Sequence, residues 1–274
     1  MPSVDLNADL GESFGRWTLG DDAALIGLIS SANIACGFHA GDPPTLRRSC
    51  ERAAAHSVAI GAQVSYRDLA GFGRRFIDVT PDDLRDDVLY QLGALQAFAQ
   101  AAGTRVSYLK PHGAMYHAVI THREQAAAVI AAVVDHDRSL AVLGLPGSAL
   151  LTAATAAGLR AVPEAFADRR YTANGGLLPR SQAGSVLTDP DRIADQVHRM
   201  ITGQGVIADD GTVVPIEAES ICVHGDTPGA VGIARAVRAR IEAAGMTVRR
   251  FVDPESVDPV PRVDPESSTE SSSS

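Results

Sequence analysis

Residues 33–42, Asn33-Ile34-Ala35-Cys36-Gly37-Phe38-His39-Ala40-Gly41-Asp42, begin as a short apolar run and break into glycines that carry a histidine and an aspartate. A buried strand that dissolves in this way reads as a strand entering an active-site loop. Glycine accepts close approaches and turns that other residues resist. Histidine exchanges a proton near neutral pH or binds a metal.

The same grammar recurs on both sides of this stretch. Before it, Val4-Asp5-Leu6-Asn7-Ala8-Asp9-Leu10 alternates strictly between apolar and polar residues, the period of a strand, and ends at Gly11-Glu12. Its polar positions suit either a solvent-facing surface or the interior or mouth of a barrel. After it, strands are read at 58–62, 105–109, 140–145, 160–165 and 220–224, with 32–37 as the second strand and a short closing strand at 247–252. Helices are read at 21–31, 45–56, 80–102, 122–136, 148–158, 189–203 and 229–244. The 80–102 helix opens with Thr80 as N-cap, Pro81 in the first turn and Asp82-Asp83 facing the helix dipole. Residues 110–116 and 172–188 read as loops, and 205–217 as a hairpin around Asp210-Gly211. About seven apolar strands alternating with helices predict an α/β fold with a parallel sheet, open or closed into a barrel.

In such a fold the C-terminal strand ends form the active face. Six of the seven exits carry ionisable residues: Asp9/Glu12, His39/Asp42, Tyr66/Asp68, Lys110/His112, Glu164/Asp168 and His224/Asp226. Carboxylates beside histidine and lysine suit general acid–base work on a small polar substrate. Gly71-Phe72-Gly73-Arg74-Arg75 offers arginines for an anion. Arg180 stands in the long loop, and Asn7, Gly37 and Tyr66 complete the expected substrate-binding set. Asp9, His39, His112 and His224 are metal-ligand types, but their spacing matches no local metal motif, so a tightly bound transition metal is not expected. Cys36 reads as a packed strand thiol rather than a nucleophile.

Composition narrows the classes. Of the 274 residues, 45% are hydrophobic, enough for a sizeable core. Net charge is −9, of which the stretch 253–274 carries six acids and one arginine; the remaining body at −4 is a poor nucleic-acid binder. Residues 1–252 are read as one barrel domain and 253–274 as a disordered acidic, serine-rich tail. Three widely spaced cysteines, no apolar run near the ~18 residues of a membrane span and no secretory leader pattern predict a cytoplasmic protein with reduced thiols. No Gly-x-Ser-x-Gly elbow and no Walker A loop is present, so no nucleotide motif is found in the chain.

Six segments taken together, VDLNADLGESFG (4–15), SANIACGFHAGD (31–42), GFGRR (71–75), LKPHGAMY (109–116), EAFADRRY (164–171) and CVHGD (222–226), resemble the LamB/YcsF family in the order of that family's motifs. The resemblance implies a seven-stranded β/α barrel related to polysaccharide deacetylases. It implies ATP-dependent opening of 5-oxo-L-proline to L-glutamate, with 5-oxoprolinase subunits B and C as partners and with ATP and Mg2+ used through the assembled complex. Asp9, Glu12, Glu164, Asp168, His224 and Asp226 would then orient substrate and water, with His39, His112 or a carboxylate as base and Lys110 and Arg75 steadying negative charge. One departure stands out: where the family commonly has His-Pro, this chain has Gln63-Val64. The alternatives are a metal-dependent carbohydrate or amide deacetylase and a non-catalytic lactam-binding subunit.

Overall fold

The computed structural model describes residues 2–252, so the tail assigned to 253–274 lies outside the described residues. Seven parallel strands close a barrel: β1 (Ser3–Leu10), β2 (Ser31–Ala35), β3 (Ala59–Val64), β4 (Val106–Pro111), β5 (Ala141–Gly144), β6 (Ala161–Phe166) and, beyond the hairpin β7 (Val206–Ile207)/β8 (Val213–Val214), β9 (Ser220–Val223). Closure is the pairing of β9 with both β6 and β1. A short β10 (Thr247–Val248) adds to the start of β1. The helices are α1 (Asp22–Leu25), α2 (Pro43–Ala55), α3 (Pro81–Ala101), α4 (Gly113–Thr121), α5 (Arg123–His136), α6 (Ala149–Ala156), α7 (Pro190–Ile201) and α8 (Ala230–Ala243).

The alternation of β1 now has a destination. Leu6, Ala8 and Leu10 face outward into the core shared with the helices, alongside Ile34, Ile60, Val64, Leu109 and Ile221. Asp5, Asn7 and Asp9 face inward and are buried. Asn7 shows this directly: its amide nitrogen donates to Ser220 at 2.7 Å, and its oxygen accepts from Asn33 at 2.7 Å and from the Lys110 ammonium at 3.1 Å, which joins four strands across the interior. The interior is therefore a hydrogen-bonded polar network along much of its length. It is plugged nearer the strand N-termini by Ala59, Tyr108, Ala141, Leu143 and Val162. Tyr108 spans the interior to donate to Asn33 at 2.7 Å, and it can do so only because position 61 is glycine: a Cβ there would stand 2.1 Å from the ring.

Three sequence expectations are revised. The helix expected at 21–31 is one turn of α-helix followed by a 3-10 turn at 26–28, because β2 begins at Ser31. The closing strand spans only 247–248. Part of the 110–116 loop is helix, since Gly113 turns the chain straight out of β4 into α4. The caps follow the expected chemistry: Thr80 accepts from the Asp83 amide and Ser148 from the Leu151 amide.

Candidate active site at the barrel mouth

The inward stripes of β1, β4, β6 and β9 run up to a cavity at the strand exits. It is lined by Asp9, Arg74, Lys110, His112, Tyr116, His117, Phe166, Arg169, Leu177, Arg180 and His224, among others. Roomier cavities of about 490 and 360 Å3 lie at the opposite end, beside Arg249 and Arg250, but none of the strand-exit residues lines them.

Three groups of side chains meet at the mouth. The first centres on Lys110. Its ammonium donates to Glu164 at 2.7 Å and to the Cys222 sulfur at 3.1 Å, and lies 3.7 Å from Asp9. Burial would depress the lysine, but Cys222, Glu164 and Asp9 outweigh it and hold it charged. Burial alone would raise Asp9; Lys110, with the Asn33 amide donating to the carboxylate at 2.8 Å, reverses that and keeps it ionised. Glu164 remains raised by burial despite its lysine partner.

The second is a dyad. His224 Nδ1 lies 2.8 and 2.9 Å from the two oxygens of Asp168, with Thr227 donating to the same carboxylate at 3.4 Å. Burial works against the Asp168 charge, but His224, with Arg180 and Arg169 further off, holds the pKa below the usual range. An ionised carboxylate only accepts, so Nδ1 must carry the proton and Nε2 is left free for the cavity that His224 lines. Phe166 stacks on the imidazole with centroids 5.6 Å apart.

The third joins Glu12, His39, Gln63 and His112. The two imidazoles stack with centroids 4.3 Å apart. Gln63 bridges His39 Nε2 and Glu12 at 3.2 Å on each side. Burial pushes His39 down to about 4. Burial, then His39 and Arg74, push His112 well below the ordinary range, so both rings are neutral. Burial, with Asp9 and Asp226 nearby, lifts Glu12 well above the carboxylate range, so it keeps its proton. The Gly71–Arg75 loop lies over this pair: the Gly73 carbonyl accepts from the Ala114 amide at 2.8 Å, an approach that a Cβ on Gly113, 2.4 Å from that oxygen, would block.

Glu12, His39 and His112 place ligand atoms within 4.8 Å of one another, and the Nδ1 atoms of both histidines are buried without partners. One carboxylate and two imidazoles are a donor set of catalytic zinc sites. The residues present thus fit a metal, although Gln63 already occupies His39 and Glu12.

The structure brings together Asn7, Asp9, Glu12, His39, Lys110, His112, Glu164, Asp168, Arg180 and His224. Arg74 and Asp226 pair with each other at 2.5 Å on the rim. The other expected residues stand outside. Asp42 caps α2, accepting from Thr45 at 3.1 Å, and also accepts from the Gly15 amide at 3.0 Å. Tyr66 is buried against α5, its hydroxyl bonded to Gln125. Arg75 is bound to Asp68, whose carboxylate also accepts from the Gly71 and Arg75 amides and so ties the loop together. Gly37 closes a turn through its amide and the Ala40 carbonyl. Cys36 is a buried thiol that burial pushes upward, as a packed strand cysteine should be. Sequence reasoning missed Arg169, Tyr116, His117 and the bridging role of Gln63. The run Glu164–Tyr171 held the signal for Arg169, but the adjacent Arg169-Arg170 gave no means of telling which side chain turns inward.

The LamB/YcsF family model matches residues 4–256. This chain belongs to the LamB/YcsF family. Family relatives include the 5-oxoprolinase A subunit of Mycolicibacterium gilvum, 62% identical over 251 residues, which cover 92% of this chain and 100% of the relative. That of Streptomyces avermitilis is 58% identical over 248 residues, 90% and 99% of the two chains. Among solved structures, a lactam utilization protein from Thermus thermophilus superposes with a TM-score of 0.86 at 45% identity, covering 91% of this chain and all of its own. Family and barrel agree with the sequence reading. No helix among the described residues is long and apolar enough to cross a membrane.

Proposed function

We propose that this chain opens the ring of 5-oxo-L-proline to L-glutamate as the lactam-handling subunit of an ATP-hydrolysing 5-oxoprolinase, assembled with subunits B and C. The observation that carries the reading is the His224–Asp168 dyad, its free Nε2 on a cavity that also holds a buried lysine and arginines. The names of the relatives supply the substrate.

The ring amide is unstrained and resonance-stabilised, so attack by water needs a base, charge stabilisation and a proton for the departing nitrogen. His224 Nε2 takes the proton from water, and Asp168 fixes its tautomer and stabilises the imidazolium that forms. Lys110 and Arg74 lower the cost of negative charge gathering on the carbonyl oxygen. Glu12, kept protonated by burial and neighbouring carboxylates, is matched to the opposite task of proton donor to the leaving nitrogen. ATP phosphorylates the carbonyl oxygen and makes the ring carbon more electrophilic. Water adds to the carbon, the C–N bond breaks as the nitrogen takes a proton, and a second water hydrolyses the acyl phosphate so formed, leaving L-glutamate, ADP and phosphate. ATP and Mg2+ bind largely through the assembled complex, in keeping with the lack of a Walker A loop in the sequence. The test is His224→Gln in the reconstituted mixture: glutamate formation should fall at least ~10²-fold with assembly intact, and unchanged turnover would remove His224 as base.

One observation favours a second reading, a metal-dependent deacetylase: Glu12, His39 and His112 would hold the ion, which would polarise a carbonyl or lower the pKa of a bound water. Stoichiometric tightly held zinc together with acetate release from acetylated sugars would establish it.

A further inference from the structure

The basic side chains of the mouth are unequally partnered. Lys110 has Glu164 and Asp9, Arg74 has Asp226, and His224 has Asp168. Arg169 and Arg180 line the same cavity, and among the described residues neither has a carboxylate within ion-pair distance. Arg169 is the more telling. It is 2% exposed, the largest fully buried side chain of the described residues, and its carboxylate neighbour in sequence, Asp168, is engaged by His224 and Thr227. One Nη donates to the Leu178 carbonyl, while Nε is buried with no partner at all. Burial and the nearby Arg180 drag its pKa down to about 10, so it is still charged at neutral pH. His117 beside it is pushed to about 4 by burial and by the two arginines, and stays neutral. Asp168 acts on the Arg169 guanidinium only from beyond ion-pair contact, and a buried guanidinium with no carboxylate against it is costly unless a ligand supplies one.

We infer that Arg169, assisted by Arg180, is the carboxylate clamp of the site, and that it selects γ-lactams bearing a carboxylate on the carbon beside the ring nitrogen over unsubstituted lactams. A guanidinium presents a planar fork that matches a carboxylate with two parallel hydrogen bonds. Phe166 and Leu177, also on the cavity wall, suit the ring methylenes next to that carboxylate. The lactam carbonyl then faces the His224 and Lys110 side of the cavity. The clamp rests on the proposed lactam-opening role and adds to it a residue that decides which lactam enters. A phosphoryl group on an activated lactam oxygen offers the same oxyanion chemistry, and the choice of ligands in the test separates the two.

The experiment compares wild-type, Arg169→Met, Arg169→Lys and Arg180→Met full chains in the reconstituted complex. It measures KM and kcat for 5-oxo-L-proline and the inhibition constant of 2-pyrrolidinone, which has the ring but no carboxylate. Arg169→Met should raise KM about 10- to 100-fold with kcat and the 2-pyrrolidinone constant within about threefold. Arg169→Lys should recover part of the loss, and Arg180→Met should show a smaller shift of the same kind. Equal weakening of both ligands, or a fall in kcat with KM unchanged, overturns the clamp and points to a scaffold role or to the activated oxygen. If Arg169→Met does not fold, Arg180→Met decides: an unchanged KM there refutes the pair. If the wild-type mixture makes no glutamate, the lactam-opening role fails on its own. Calorimetry on the chain alone then judges the clamp, which falls if 5-oxo-L-proline binds no more tightly than 2-pyrrolidinone.

Discussion

Replacing Asp5 by asparagine should reshape how stability depends on pH. Asp5 lies in the barrel interior, 1% exposed, and accepts hydrogen bonds from Ser30 and Ser31 at 2.6 Å each and from Ser220. Burial raises its pKa from 3.8 to about 6, and the three serine hydroxyls offset only part of that. The folded protein keeps this proton up to about pH 6, while the unfolded chain releases it near 3.8. The stabilisation is therefore complete below pH 3.8 and is lost as pH rises through 6. At ~1.4 kcal/mol per pH unit the loss amounts to about 3 kcal/mol. His39 works in the opposite sense. Its pKa falls from 6.5 to about 4, so its contribution is complete above 6.5 and disappears as pH drops through 4. The two largely cancel in the wild-type protein between pH 4 and 6.5. Asp5→Asn removes one of them, and the stability of the variant relative to wild type should climb by about 3 kcal/mol between pH 4 and pH 7.5. Urea unfolding curves of both proteins at fixed ionic strength across that range give the difference directly. A gap that stays constant with pH would refute the reasoning, because it would mean that Asp5 titrates alike in the folded and unfolded states.

Three further outcomes are expected. Asp168→Asn presents an amide N–H or a weaker acceptor to His224 Nδ1 and frees the wrong tautomer, so kcat in the reconstituted mixture should fall ~10²- to 10⁴-fold while the melting temperature changes little. Lys110→Met leaves Glu164 and Asp9 buried without their cation and should cost about 3–5 kcal/mol in urea unfolding, part of it restored by adding Glu164→Gln. Gly61→Ala drives a methyl to 2.1 Å from the Tyr108 ring, so the ring must leave Asn33; a loss of at least ~1–3 kcal/mol should appear in thermal unfolding, relieved by Tyr108→Ala in the same chain.

The β/α alternation was legible in the sequence because each strand is a short apolar run with turn chemistry at its end. What the polar positions of β1 face could not be read locally. Asn7 reaches Ser220, 213 residues away, and only closure through β9 decides that Asp5, Asn7 and Asp9 point inward. The same limit governs the site. Residue type marked His224, Asp168 and Lys110 correctly as mouth residues, but it marked Asp42, Tyr66 and Arg75 with equal force, and these are occupied by the Thr45 amide, Gln125 and Asp68. Tyr116 and His117 were lost with α4, since a glycine directly after Lys110-Pro-His reads as a loop although here it starts a helix. Arg169 differs from Arg170 only in the direction of its side chain, which the contacts around Leu178 set.

The proposed role, that this chain supplies the lactam-opening site of a multi-subunit enzyme, makes a direct demand on reconstitution. The most direct measurement is glutamate release from 5-oxo-L-proline with ATP and Mg2+, run with this chain alone, with subunits B and C alone, and with all three. Glutamate formed only when all three are present, and lost again when the His224→Gln chain is substituted, is the predicted result. Glutamate formed by B and C without this chain, or none from the complete mixture of folded proteins, would contradict it.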